Sequence, residues 1–149
     1  MRLLISSSLL FTLCTASIAA ICPSVQTLKS NQAKNWQAFD SDNGKPLSAV
    51  RETRLKLAIT QFALAEWSST KDKNRIHCYY KSQNGSNLEA YFAHHSTTKV
   101  SPSRYWYEVT GMLHCAAGVD KCQFQALPDV QRQFAQNAAG TPAGHVLSE

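Results

Sequence analysis

Apolar and polar side chains alternate along "NRIHCYYKSQNGSNLEAYFAHH", residues 74–95, which predicts two β-strands joined by a turn. A two-residue Asn-Gly turn would pair Cys78 with Tyr91 and split the apolar side chains between two faces. A three-residue loop with a left-handed glycine pairs Cys78 with Ala90 and places the apolar side chains of both strands on one face. We favour this second register. Its outer face then carries His77, Tyr79, Lys81, Asn87, Glu89 and Tyr91.

The same reasoning places further elements in the first half of the chain. Residues 22–35 have apolar spacing for one or two turns of helix, and an extended segment follows before a turn at 40–44. Between 48 and 67 the apolar positions fit both a helix face and a strand. We favour a helix early in that stretch and a strand late in it, and residues 48–60 fit either element.

The second half of the chain predicts more strands and a weakly structured end. Aromatic and β-favouring residues fill 104–113, and apolar residues alternate at 122–127. A short helix and a loose tail are predicted for 128–149. Together these elements predict a small single-domain α+β fold at 21–127, with an antiparallel sheet of about four to six strands and one or two short helices.

The N-terminal residues 1–20 have the charge, apolar core and small residues of a secretory signal peptide, with cleavage expected after Ala19 or Ala20. The apolar run is shorter than the roughly 20 residues that cross a bilayer as a helix. We therefore expect a periplasmic or secreted protein with no transmembrane segment after signal cleavage.

Cysteine usage fits such an oxidising compartment. Cleavage removes Cys14 and leaves four cysteines, which allow three disulfide pairings. We favour Cys115–Cys122, which closes a short loop, with Cys22–Cys78 tying the N-terminus to the predicted hairpin. A four-cysteine zinc site is the competing interpretation, but no C-x-x-C pair occurs. The sequence predicts neither a metal site nor a cofactor.

The charge is unevenly distributed along the chain. The formal net charge is +5, and twelve Lys and Arg stand against six Asp and Glu over residues 29–104. Such a surface favours an acidic partner. However, the basic residues are scattered rather than clustered, so a solvated face is the simpler explanation, and no specific nucleic-acid motif is present.

Aromatic residues suggest a ligand-binding surface on the outer face of the hairpin and on the neighbouring "RYWY" segment. Exposed rings can stack on sugars or on a partner's apolar side chains, although sheets also favour such residues for packing alone. The candidate ligand-binding residues are Tyr79, Tyr91, His77, Tyr105, Trp106 and Tyr107.

Histidines offer an alternative, enzymatic hypothesis. His77, His94 or His114 could perform acid–base chemistry on a phosphodiester or a glycan. His94 and His95 are adjacent, so on a strand they point to opposite faces. No H-E-x-x-H, G-x-S-x-G, P-loop or EF-hand motif occurs, and no residue is assigned a catalytic role.

The order of "CPSVQTLK", "NWQAFDSDNGKPLS", "FALAEW", "IHCYYK", "LEAYF" and a final C…C-x-F resembles small exported disulfide-containing domains of Gram-negative bacteria. Trp36, Trp67, Cys22 and Cys78 match as framework positions. The resemblance implies a compact exported domain and assigns no activity. We therefore expect a non-enzymatic binding module for a glycan, an acidic surface or a protein, with a small secreted hydrolase as the alternative.

Overall fold

The protein is represented by a computed structural model, which describes residues 19–70, 74–85 and 89–127. Residues 1–18 of the predicted signal peptide lie outside the described residues. So do the helix and tail predicted for 128–149, and residues 71–73 and 86–88.

Short strands and two helices alternate through the described part of the chain. They are β1 (Ala19–Ala20), α1 (Val25–Lys29), β2 (Trp36–Asp40), α2 (Ala49–Ala58), β3 (Ile59–Trp67), β4 (Ile76–Ser82), β5 (Ala90–His94), β6 (Thr98–Lys99), β7 (Tyr107–Val109), β8 (Met112–Cys115) and β9 (Phe124–Ala126).

The strands form two antiparallel sheets. Six strands pair in the order β2-β5-β4-β3-β8-β7, and three pair in the order β1-β9-β6. The predicted α+β class, the single small domain and a sheet of up to six strands are confirmed. The separate three-stranded sheet is an addition: β9 lies in the strand predicted at 122–127, whereas β1 and β6, of two residues each, were not predicted.

Serine caps begin both helices. The backbone N–H of Thr27 donates to the Ser24 hydroxyl at 3.1 Å, and that of Arg51 donates to the Ser48 hydroxyl at 3.4 Å. α2 ends where Ile59 becomes extended and starts β3 directly, which confirms the prediction of a helix followed by a strand. In the described part of the chain, no helix has the length and apolar character needed to cross a membrane.

The hairpin register differs from the predicted one. Cys78 pairs with Phe92, not Ala90, because the loop between β4 and β5 is longer than three residues. The shift is two residues, and an even shift leaves the side chains of β4 and β5 on their predicted faces. Gly85 has a φ of 90°, as a turn glycine requires.

The strand predicted at 104–113 is instead a second hairpin. Thr110 and Gly111 have φ values of 49° and 78°, and this pair of positive angles is the backbone of a tight two-residue turn between β7 and β8. Arg104 to Trp106 precede β7 and do not belong to the sheet. The aromatic run is therefore divided between a loop and an edge strand.

One row of buried side chains crosses five strands of the large sheet and forms the centre of the core. Its members are Cys115, Ala65, Cys78, Phe92 and Ala38. Both predicted disulfides, Cys22–Cys78 and Cys115–Cys122, are confirmed. Each includes one cysteine of this row. The disulfides thus fix the N-terminal segment and the loop before β9 to the same face of the sheet.

Candidate functional site

A second row of side chains lies directly beside the core row and crosses all six strands of the large sheet. It runs through Tyr107, His114, Glu66, His77, Ala93 and Gln37, one residue from each strand. Successive residues of a strand point to opposite faces. This second row therefore faces away from the disulfides and the main core.

Glu66 occupies the middle of this row, between two histidines. Its Oε1 lies 3.7 Å from Nδ1 of His77, and its Oε2 lies 3.4 Å from Nε2 of His114. The three side chains are only 13–19% exposed. Within the described residues, Nε2 of His114 is buried and makes no hydrogen bond of good geometry. One carboxylate therefore faces two imidazoles in a largely desolvated place.

A stack of rings holds His77 in position. The His77 ring lies 4.1 Å from the Tyr91 ring, with 22° between their planes, and Tyr91 stacks on Phe39 at 5.6 Å. The guanidinium of Arg75 lies 5.1 Å from the centre of the Phe39 ring. Stacked and cation–π contacts of this kind restrict side-chain rotation. The imidazole of His77 is consequently presented to Glu66 in a defined orientation.

Tyr79 lies on the same face as His77, two residues further along β4. Its ring is tilted against the Tyr91 ring at 5.5 Å. Burial raises the pKa of the Tyr79 hydroxyl well above its usual range, and the negative charge of Glu66 and the neighbouring Tyr91 raise it further. Tyr79 therefore remains a protonated hydroxyl that can donate a hydrogen bond near Glu66.

Tyr107 is the most accessible ring of the row. It lies on the edge strand β7, is 51% exposed, and its ring centre is 6.1 Å from that of His114. Val109, two residues further on the same strand, is 38% exposed. We call the surface made by Glu66, His77, Tyr79, Tyr107 and His114 the Glu66 face.

Two of the predicted ligand-binding rings are buried, so their expected exposure is wrong. Tyr91 is 7% exposed and belongs to the stack that supports His77. Trp106 is 8% exposed in the main core, and its indole N–H donates to the carbonyl of Gln123 at 3.2 Å. Tyr105 is half-buried beside Arg104, in the segment before β7.

The remaining candidate positions are dispersed. His94 faces the core side, where its ring meets Trp36 at 5.1 Å and its Nδ1 accepts the backbone N–H of Ser96 at 3.1 Å. Burial lowers the pKa of His94, and the electrostatic effect of the neighbouring His95 lowers it further. His95 is exposed, as are Lys81 and Glu89, whereas Asn87 lies outside the described residues.

Sequence reasoning named His77 and His114 but missed Glu66. The alternating segment "FALAEW" did contain a signal, because a charged residue in a strand marks which face is polar. What it did not contain was the order of strands. Only that order puts β3 between β4 and β8, and therefore Glu66 between the two histidines.

The donor groups of the site are not arranged as a metal centre. In the described ranges, no group of three or more His, Cys, Asp and Glu side chains is placed to hold a metal ion. Comparisons with protein-family models, with curated proteins and with solved structures found no match. The functional inference therefore depends on the chemistry of the Glu66 face itself.

Proposed function

We propose that this protein is an exported, non-enzymatic binding module whose Glu66 face engages a glycan chain. The observation that supports the proposal is the row in which Glu66 lies between His77 and His114, with the exposed ring of Tyr107 beside it. The two disulfides agree with an oxidising compartment. Export itself is part of the proposal.

The groups of the Glu66 face match the needs of a ligand rich in hydroxyls. The Glu66 carboxylate accepts hydrogen bonds, the Tyr79 hydroxyl donates one, and imidazoles can do either. The Tyr107 ring offers a flat apolar surface for the C–H side of a sugar ring. From β7 to β4 the row covers three strand spacings, about 14 Å. This is an extended surface, which suits a chain better than a single compact molecule.

The direct test is to measure the binding of chito- and cello-oligosaccharides by calorimetry, comparing the wild type with Tyr107→Ala and Val109→Ala. Both residues are exposed, on the same strand and on the same face. We expect Tyr107→Ala to weaken binding about fivefold, since an aromatic contact is worth about 1 kcal/mol. The matched variant Val109→Ala should bind within about twofold of the wild type.

Two results would count against glycan binding. The first is an affinity that Tyr107→Ala and Glu66→Gln leave unchanged while both variants remain folded. The second is that the wild-type protein binds none of the oligosaccharides but binds a protein partner through Tyr107. That outcome would keep the surface and replace the ligand class.

A small secreted hydrolase is the second candidate, and one specific observation favours it. Glu66 contacts both His77 and His114, and a carboxylate that orients an imidazole is a recurrent feature of acid–base sites. Purified protein should then cleave RNA or a polysaccharide, and His114→Ala should reduce the rate at least about tenfold. His95→Ala is the matched control because that histidine is exposed outside the row. Protein inert towards both substrate classes would exclude this candidate.

A further inference from the structure

A cleft with several polar lining residues lies apart from the Glu66 face, between the segment before β7 and the disulfide loop. It has a volume of about 360 Å³. This is near the lower end of the range for small-molecule sites, so it suits a ligand of about one sugar ring. Its lining residues are Ser101, Pro102, Ser103, Tyr105, Asp120, Lys121 and Gln123.

Two cations gather around the Tyr105 ring at the edge of this cleft. The Arg104 guanidinium lies 4.9 Å from the ring centre and donates a 2.7 Å hydrogen bond to the Tyr105 hydroxyl. The Lys121 ammonium lies 5.9 Å from the same ring centre. Cation–π contacts hold Lys121, which lines the cleft, and Arg104, which lies beside it, against the Tyr105 ring. Asp120 is the one carboxylate among the lining residues. The local charge balance therefore favours an anionic ligand.

Both walls of the cleft are fixed by the fold. On one side, the backbone N–H of Tyr105 donates to the Ser103 hydroxyl at 3.3 Å. On the other, the Cys115–Cys122 disulfide closes the loop, and the Gln123 amide donates to the Asp120 carbonyl at 3.0 Å. A site whose groups are already held in place loses less entropy on binding. The cleft therefore has the rigidity that a weakly held small ligand requires.

We infer that this cleft binds a uronic acid residue, meaning a sugar ring that carries a carboxylate. Lys121 and Arg104 supply positive charge for the carboxylate, while the serine hydroxyls and Asp120 supply partners for the sugar hydroxyls. A neutral sugar would leave the two cations without a ligand partner. The inference does not depend on the Glu66 face, which lies on the sheet.

Trp106 provides a direct readout of the cleft. Its indole N–H donates to the carbonyl of Gln123, which lines the cleft, so occupancy should shift the indole N–H resonance. We would titrate ¹⁵N-labelled protein with sodium glucuronate and, separately, with glucose. We expect saturable shifts with glucuronate at a Kd of about 1 mM, and none with glucose over the same range.

The charge requirement is tested with two exposed lysines. Lys121→Met should weaken glucuronate binding at least about fivefold because it removes a cation and keeps the apolar stem. Lys99→Met, on β6, should bind within about twofold of the wild type. Tyr107→Ala should leave glucuronate binding unchanged, which separates this site from the Glu66 face.

Three results would overturn the inference. Glucose could shift the Trp106 resonance as strongly as glucuronate, which would remove the role of the carboxylate. The wild type could show no saturable response to glucuronate up to about 20 mM. Finally, Lys121→Met and Lys99→Met could weaken binding equally, which would indicate nonspecific attraction to the basic protein.

Discussion

Replacing Tyr91 by alanine should destabilise the protein strongly, although the sequence alone suggests an exposed ring. The side chain is 7% exposed and contacts the rings of His77, Phe39 and Tyr79. Removal of a large buried aromatic side chain costs about 3–5 kcal/mol. Because Tyr91 lies in a small cluster outside the main core, we expect the lower end, about 3 kcal/mol. That is a large part of a typical total of about 5–15 kcal/mol.

Urea unfolding followed by far-ultraviolet circular dichroism, under oxidising conditions, measures this loss. Tyr107→Ala is the matched control, since it removes the same side chain from a position that is 51% exposed, and it should change the free energy of unfolding by less than about 0.5 kcal/mol. Tyr91→Phe keeps the ring and should cost at most about 1.5 kcal/mol. If Tyr91→Ala is as stable as Tyr107→Ala, the ring stack on the Glu66 side of the sheet does not exist as described.

Three further changes test other parts of the fold by the same unfolding assay. Replacing Cys22 and Cys78 together by alanine should cost about 4 kcal/mol, since their disulfide spans 56 positions; a loss below about 1 kcal/mol would contradict this. Tyr80→Phe should cost about 1.5 kcal/mol because it leaves the Pro23 carbonyl without the 2.6 Å bond that the buried Tyr80 hydroxyl donates. An unchanged midpoint would show that water replaces the bond. Because burial lowers the pKa of His94, the unfolded chain binds the proton more readily, so stability should fall as pH drops below about 6.5, the usual pKa of histidine. His94→Gln should reduce that slope, and an identical slope would refute the assignment.

The spacing of apolar residues predicted those helices and strands whose signal lies within one short stretch of sequence. The order of a helix, α2, and then a strand, β3, followed from the apolar positions within 48–67, whereas the sequence left open whether 48–60 is helix or strand. The one apolar face of the β4–β5 hairpin followed from alternation alone. Alternation did not determine the register of this hairpin, because loops that differ by two residues in length place the same side chains on the same faces.

Features that depend on strand order were beyond the sequence. His114 on β8 lies beside Glu66 only because β8 pairs with β3, which is distant from it in the sequence, and β7 joins the row by pairing with β8. The burial of Trp106 was missed for a similar reason: the aromatic run looks uniformly strand-like, whereas its first part is a loop that turns the indole into the core. The aromatic pattern indicated strand propensity and left burial undetermined.

The composition of the second row supports the proposal that the Glu66 face binds a ligand. Positions 66, 77 and 114 lie on three neighbouring strands inside a six-stranded sheet, where apolar cross-strand pairs would stabilise it more simply. A largely buried carboxylate loses hydration that its partners must restore, and replacing such a group by apolar residues is often neutral or stabilising. Polar groups that conflict with local stability are characteristic of functional sites. The adjacent core row and its two disulfides stabilise the sheet, and this stability offsets the cost of burying Glu66 between two histidines on the opposite face.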